Sequence, residues 1–209
     1  MKSKFLIIVA AGASLFAFNS CKNPADETTD ATVEEAKPEA DTTNGISYTF
    51  TKDSSIGFIG SKLSGKHDGG FKDFEGKFIV QDGKPQGGSF TIDMASTWSD
   101  NDDLTKKLKT SQFFDVPAFP TSEFVVTSFN KKNENAYEIS GNLTLHGVTK
   151  NITFPSTVET NGDLIKVTAE FDINRKDFDI SYPGKKDDLI RDEVIIKFNL
   201  EAKPSSQTS

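Results

Sequence analysis

From Ile46 to the end of the chain, apolar residues recur at every second position, and that period leaves few folds open. In "ISYTF" Ile46, Tyr48 and Phe50 share one face. In "SFTIDM" the face is Phe90, Ile92 and Met94. In "IKVTAEFDI" it is Ile165, Val167, Ala169, Phe171 and Ile173, and in "VIIKFNL" Val194, Ile196, Phe198 and Leu200. A period of two marks strands with one dry and one wet face. Turn-forming stretches separate the runs: "QDGKPQGG", "LHGVTK", "TNGD" and "YPGKKDD". Eight or nine such strands predict an all-β antiparallel sandwich or barrel. Phenylalanine occurs 18 times, against one Trp and three Tyr. One dry face per strand and this bulky aromatic content favour an extended antiparallel eight-stranded barrel, whose interior is filled by side chains or holds one small ligand.

Some residues depart from the alternation. Gly76 and Gly141 fall in phase with apolar neighbours and fit barrel corners, the approach of a ligand, or relief of crowding. Val125 and Phe129 are out of phase with Phe124 and Val126. "SDNDDLTKKLKTSQFFD" carries Leu104 and Leu108 at helical spacing. Ser99 or Asp100 can cap its start, Asp102 and Asp103 lie in the first turn, and Lys106, Lys107 and Lys109 follow. That order complements a helix dipole and predicts a short helix near 100–110, placed to close one barrel end. Trp98, between strand and helix, is expected to pack under this lid or to contact a ligand.

The first 45 residues read differently. Lys2 and Lys4 precede an apolar run from Phe5 to Phe18, then Ser20 and the sole cysteine, Cys21. The run is short for a membrane span and fits a signal peptide. The pattern resembles a bacterial lipoprotein signal, with cleavage after residue 20 and lipidation of Cys21; the alternative is plain secretion with an incidental cysteine. Residues 21–45 then read as the lipidated cysteine and a flexible acidic tether. The stretch from 22 to 45 holds seven acidic residues, two lysines and no aromatic, too little apolar area to order itself. Residues 204–209 read as a disordered tail. These features place the chain in the cell envelope, in the periplasm or on the outer membrane. A single cysteine excludes an intrachain disulfide. The net charge of −7 argues against nucleic acid as a partner.

Catalytic motifs are missing. The chain has no Gly-x-Ser-x-Gly elbow, phosphate-binding loop or dinucleotide fingerprint, so no catalytic residues and no cofactor are assigned. The paired acids Asp102/Asp103 and Asp187/Asp188 lie in polar stretches. His146, beside Gly147, reads as a turn histidine whose imidazole can bond a backbone group. His67 has no second histidine at ligand spacing, so no metal site is assigned.

Two runs carry a family resemblance: "LTKKLKTSQFFDVPAFPTSEFVVTSF" and "YEISGNLTLHGVTKNITF". Together they resemble the YceI-like family of bacterial periplasmic lipid-binding proteins, and the likeness extends over residues 46–203. The family often has His-Ser where Ser54-Ser55 stands, and glycine where Asp179 stands. The resemblance implies a lipocalin-like barrel with an apolar lumen that binds a long polyisoprenoid or quinone-like amphiphile, without enzymatic activity. Candidate lumen residues are Phe58, Phe78, Phe90, Ile92, Phe124, Leu143, Leu145, Phe171 and Phe198, each equally able to be plain core. Arg175 and Arg191, the only arginines, are candidates for an anionic head group, since guanidinium binds phosphate bidentately. The competing reading for them is an ion pair with Asp172, Asp177 or Asp192. The alternatives to a lipid carrier are a ligand-free structural module of the envelope and, less favoured, an enzyme acting on isoprenoid lipids.

Overall fold

The computed structural model describes residues 22–42 and 44–205. The expected signal peptide, Cys21 and residues 206–209 lie outside the described residues. The alternating runs form strands with their apolar faces turned to a common interior. In chain order these are β1 (Thr32–Glu35), β2 (Ile46–Phe50), β3 (Ser55–Lys62), β4 (Gly65–Phe71), β5 (Phe74–Gln81), β6 (Lys84–Asp93) and β7 (Thr97–Ser99). After the helix α1 (Asp102–Leu108) come β8 (Thr121–Lys131), β9 (Ala136–Leu145), β10 (Val148–Asn161), β11 (Leu164–Asn174), β12 (Gly184–Lys185) and β13 (Asp188–Pro204).

Three pairs, β2/β3, β4/β5 and β6/β7, are single long strands broken by a short bend. Counted so, eight antiparallel staves run up and down in chain order. β13 closes the ring: it pairs with β11 from Ile165↔Ala202 to Asn174↔Glu193, and on its other side with β2 and β3. The expected eight-stranded barrel with one short helix is what the chain forms. Closure leaves the staves no free edge except where β10 and β11 part.

A bulge accounts for the broken alternation in β8. Its pairing with β9 shifts between Val126 and Ser128, which inserts one residue and flips the following side chains. Phe129 therefore turns inward, where its ring meets Phe78 at 6.2 Å. The cap of α1 is Asn101, one residue after Asp100 and two after Ser99: its side chain accepts from the Leu104 N–H at 2.9 Å.

The expected flexible tether is corrected by the structure. Residues 24–27 form a 3-10 turn, and β1 pairs with β10 from Thr32↔Thr153 to Glu35↔Lys150. β10 and β11 pair only from Asn161↔Leu164 to Thr157↔Thr168, and their other halves part. Residues 29–35 fill that seam. The Ala31 N–H donates to the Asp172 carbonyl at 2.9 Å, and the Asp172 N–H donates to the Thr29 carbonyl at 3.2 Å. Asn142 then grips the backbone of Lys37 at both its N–H and its carbonyl. The segment is too polar to order by itself, but the open seam supplies backbone partners on both lips. Ala25 packs on Ile59 and Ile195, and Ala31 and Val33 pack against the main core.

Candidate functional site

The interior divides into two halves. Away from α1 the lumen is closed by aromatic rings. Phe154 and Phe171 stack at 4.0 Å, and Phe198 meets Phe154, Phe171 and Phe90 edge-on. Phe90 stacks on Phe124 at 5.3 Å. The two in-strand glycines make room for this layer: a methyl group at Gly141 would strike the Phe124 ring, and one at Gly76 the rings of Phe50 and the stem of Phe90. Crowding, rather than a barrel corner or an approaching ligand, sets both positions. A void of about 20 Å³ remains among these rings.

On the α1 side a cavity of about 140 Å³ lies above the aromatic layer, with an almost wholly apolar lining. Phe58, Phe90, Ile92, Leu143 and Leu145 border it, as do Phe171 and Phe198. Phe78 and Phe124 do not; they border the small void instead. The roof comes from outside the alternating runs: Leu108 from α1, Phe113 and Phe114 after it, and Ile180 after β11. Leu108 belongs to the helix expected to close this end, whereas Phe113, Phe114 and Ile180 were passed over because they follow no strand period. The doubled Phe in "FFDVPAF", apolar yet aperiodic, was the available signal.

Beside the cavity lies a vestibule of about 230 Å³ between α1 and the β12–β13 hairpin, with Phe58, Gly60, Leu108, Phe113 and Ile190 bordering both spaces. Here the lining turns polar, with Lys62, His67, Lys107, Lys185, Tyr182 and Asp188. Lys107 Nζ donates to Tyr182 Oη at 3.0 Å and lies 4.1 Å above that ring. Lys62 pairs with Asp188, which also accepts from the N–H and hydroxyl of Ser64. The Lys62 contact, and next the Ser64 hydroxyl, hold the Asp188 carboxyl below the usual carboxylate range. His67 Nδ1 lies 2.8 Å from Asp100, and this contact is the largest cause lowering the Asp100 pKa.

Arg175 takes an internal role. Arg175 is buried, and its guanidinium donates to the Arg191 carbonyl, the Ile180 carbonyl and Asp192 Oδ1, at 3.1, 2.6 and 3.1 Å. It borders the cavity, but these donors pin the roof loop to β13, so Asp192 is the ion-pair partner. Arg191 borders neither the cavity nor the vestibule. The basic groups at the mouth are lysines instead.

His146 is a turn residue. Leu145 pairs with Val148, and His146 and Gly147 both have positive φ, 52° and 78°, as a two-residue type I′ hairpin requires. Its Nδ1 lies 3.2 Å from the Phe178 carbonyl, tying the hairpin to the roof. Asp179 has φ 58°, the left-handed backbone that glycine adopts most readily, so the loop keeps a glycine-like shape with aspartate in place. Trp98 lies outside the lid and the cavity; its indole covers Gly70 on the outer wall. A wide outer groove there is crossed by the Lys197–Glu170 pair at 3.5 Å and is solvated surface. Among the described residues no group of three His, Cys, Asp or Glu side chains converges on a metal position.

A closed antiparallel barrel of eight staves, roofed at one end over an apolar cavity, defines the class: a lipocalin-like β-barrel. The YceI-like domain model matches residues 48–202, and the chain belongs to that family. A UPF0312 protein of Pseudomonas putida strain W619 is 32% identical over 149 residues, covering 66% of this chain and 78% of its own length. Among solved structures, BcnA of Burkholderia cenocepacia superposes with a TM-score of 0.67 at 24% identity, over 79% of this chain and all of that one. A polyisoprenoid binding domain from Saccharophagus degradans superposes with a TM-score of 0.64 at 16% identity, over 78% of this chain and all of that one. These likenesses extend the fold assignment; the strap over residues 22–42 lies outside the residues that the family model matches.

Proposed function

We propose that this protein binds an amphiphilic isoprenoid-type lipid without transforming it, for carriage, storage or sequestration in the cell envelope. The observation that carries the reading is the junction of an apolar cavity with a lysine-bearing vestibule through shared residues. One end takes a hydrocarbon tail, at about 25 cal/mol for each Å² of apolar surface removed from water. The other takes a hydrated head. The polyisoprenoid-binding relative of the same fold supports this tail class. On this reading the chain is exported, cleaved before Cys21 and held by lipid on that residue, in the periplasm or on the outer membrane.

A second reading has one observation in its favour: the aromatic layer fills much of the lumen. A cavity near 140 Å³ matches a hole of about 150 Å³ that admits a benzene-sized guest. A long tail therefore has to displace rings of the layer, with Phe90 and Phe198, which border both spaces, the first to move. If they do not yield, the domain is a ligand-free structural module. The deciding experiment is mass spectrometry of lipids extracted from a Cys21→Ser form exported in a bacterial host. A polyprenyl or quinone species near one per chain is the expected result. A folded, monodisperse protein that is empty and refuses added isoprenoids overturns it.

A further inference from the structure

Four large apolar side chains among the described residues are markedly exposed, and two of them sit together at the cavity mouth: Leu63, 52% exposed, and Leu189, 45%. Leu63 is in the turn between β3 and β4; Leu189 is the second residue of β13, opposite Gly184 in the β12–β13 hairpin. The Leu63 N–H donates to the Leu189 carbonyl at 3.2 Å. Asp188 reaches across to Lys62 and Ser64. Two hairpin tips are thereby locked into one ridge that holds both leucines in solvent. Lys62, Lys66, Lys185 and Lys186 lie beside them in the two hairpins, against Asp187 and Asp188; Lys62 and Asp188 neutralise each other, and an excess of two positive charges remains. On a chain of net charge −7, this is a local positive rim.

The N-terminal strap reaches the same region. The Asn23 amide lies 3.4 Å from Glu193 Oε2, four residues along β13 from Leu189. Cys21 stands two residues before Asn23 in the sequence. We propose that the mouth end of the barrel docks on an anionic lipid bilayer, with Leu63 and Leu189 among the headgroups and the rim lysines against lipid phosphates. A bilayer satisfies both features of the rim, since leucines favour the acyl boundary and lysines gain from anionic headgroups. The inference rests on the lipid-binding reading in one respect: docking here lets a tail pass from bilayer to vestibule without crossing water.

The test uses the full chain carrying Cys21→Ser, with one cysteine returned at Leu63→Cys, Leu189→Cys or, at the opposite end, Asp82→Cys. Each is labelled with an environment-sensitive fluorophore and mixed with phosphatidylcholine vesicles, with or without 30% (~) phosphatidylglycerol. Labels at 63 and 189 are expected to shift to the blue and to be quenched by a lipid-borne quencher on the anionic vesicles. The label at 82 is expected to stay in water. Lys185→Glu with Lys186→Glu weakens the response by about tenfold or more, and added salt acts in the same direction. Silent rim labels, or equal insertion at 82, overturn the proposal. A rim shift that needs no vesicles and grows with protein concentration also overturns it, identifying a second copy as the occupant. Lipid content is measured on the same preparations. Inserting labels on an empty barrel keep the docking and defeat the carrier reading; a loaded barrel with silent labels does the reverse.

Discussion

Asp172 is the clearest single-residue tension in the molecule. Its side chain is buried in the wall of β11, 3% exposed, and its Oδ2 accepts from the Thr28 hydroxyl at 2.6 Å. Burial first, then the neighbouring Asp30 and Glu193, push its carboxyl above the usual carboxylate range; Thr28 pulls the other way. The folded chain thus keeps this proton at a pH where the unfolded chain has released it. By linkage, the contribution of Asp172 to stability is fully present below the ordinary aspartate value near 3.9. It is lost as pH rises through the raised folded value. Asp172→Asn cannot ionise and keeps an oxygen for Thr28. Its stability relative to the parent is therefore expected to be better at pH 7 than at pH 4, read from denaturant midpoints at the two values. An unchanged difference between the two pH values sinks this account.

At the scale of elements, the strap is the part that composition misjudged. Its seven acidic residues and lack of aromatics describe a chain that cannot fold alone, which is correct physics for an isolated segment. What the sequence does not display is a seam between β10 and β11 with unpaired backbone on both lips. Val33 is the hinge of the fit: it pairs with buried Ile152 and packs against the core. Val33→Asp sets a carboxylate on that apolar face at a cost of about 1–3 kcal/mol. Hydrogen exchange at Thr32–Glu35 and at residues 150–153 is expected to speed up, while the ladder between β11 and β13 stays protected. If exchange in the strap is unaltered, the seam is not what holds it. The barrel itself was legible because a period of two with one dry face admits few closures. β8 was only half legible: Phe129 reads as a misfit until the bulge at Val126 is known.

For the whole molecule, the site was legible in proportion to its share of the strand period. Seven of the nine lumen candidates border the cavity, all on inward faces of staves, yet alternation alone does not say at which height the lumen is open. Phe78 and Phe124 have the same inward phase and fall in the filled half. The roof and the vestibule draw in part on segments outside the strand period, brought together by closure, so Phe113, Ile180 and Tyr182 could not be assigned by alternation. The same division between open and filled halves separates the two functional readings. Leu143 borders the cavity from β9 and is not part of the stacked layer. Leu143→Phe puts bulk into existing empty space, so its effect on stability is expected to stay within about 1 kcal/mol. Leu143→Ala enlarges that space and, because Leu143 is half-buried, is expected to cost about 2 kcal/mol, the low end of the range for buried leucines. If the cavity is a binding site, the two variants move lipid content independently of stability. The phenylalanine form keeps its fold and loses most of its bound lipid, by about tenfold if roughly 1.4 kcal/mol of tail contact is displaced. The alanine form melts earlier and still loads. If the interior is only core, lipid content is nil in both and melting alone responds. Paired melting curves and lipid mass spectra on the two variants therefore distinguish a site from a space that is merely imperfectly packed.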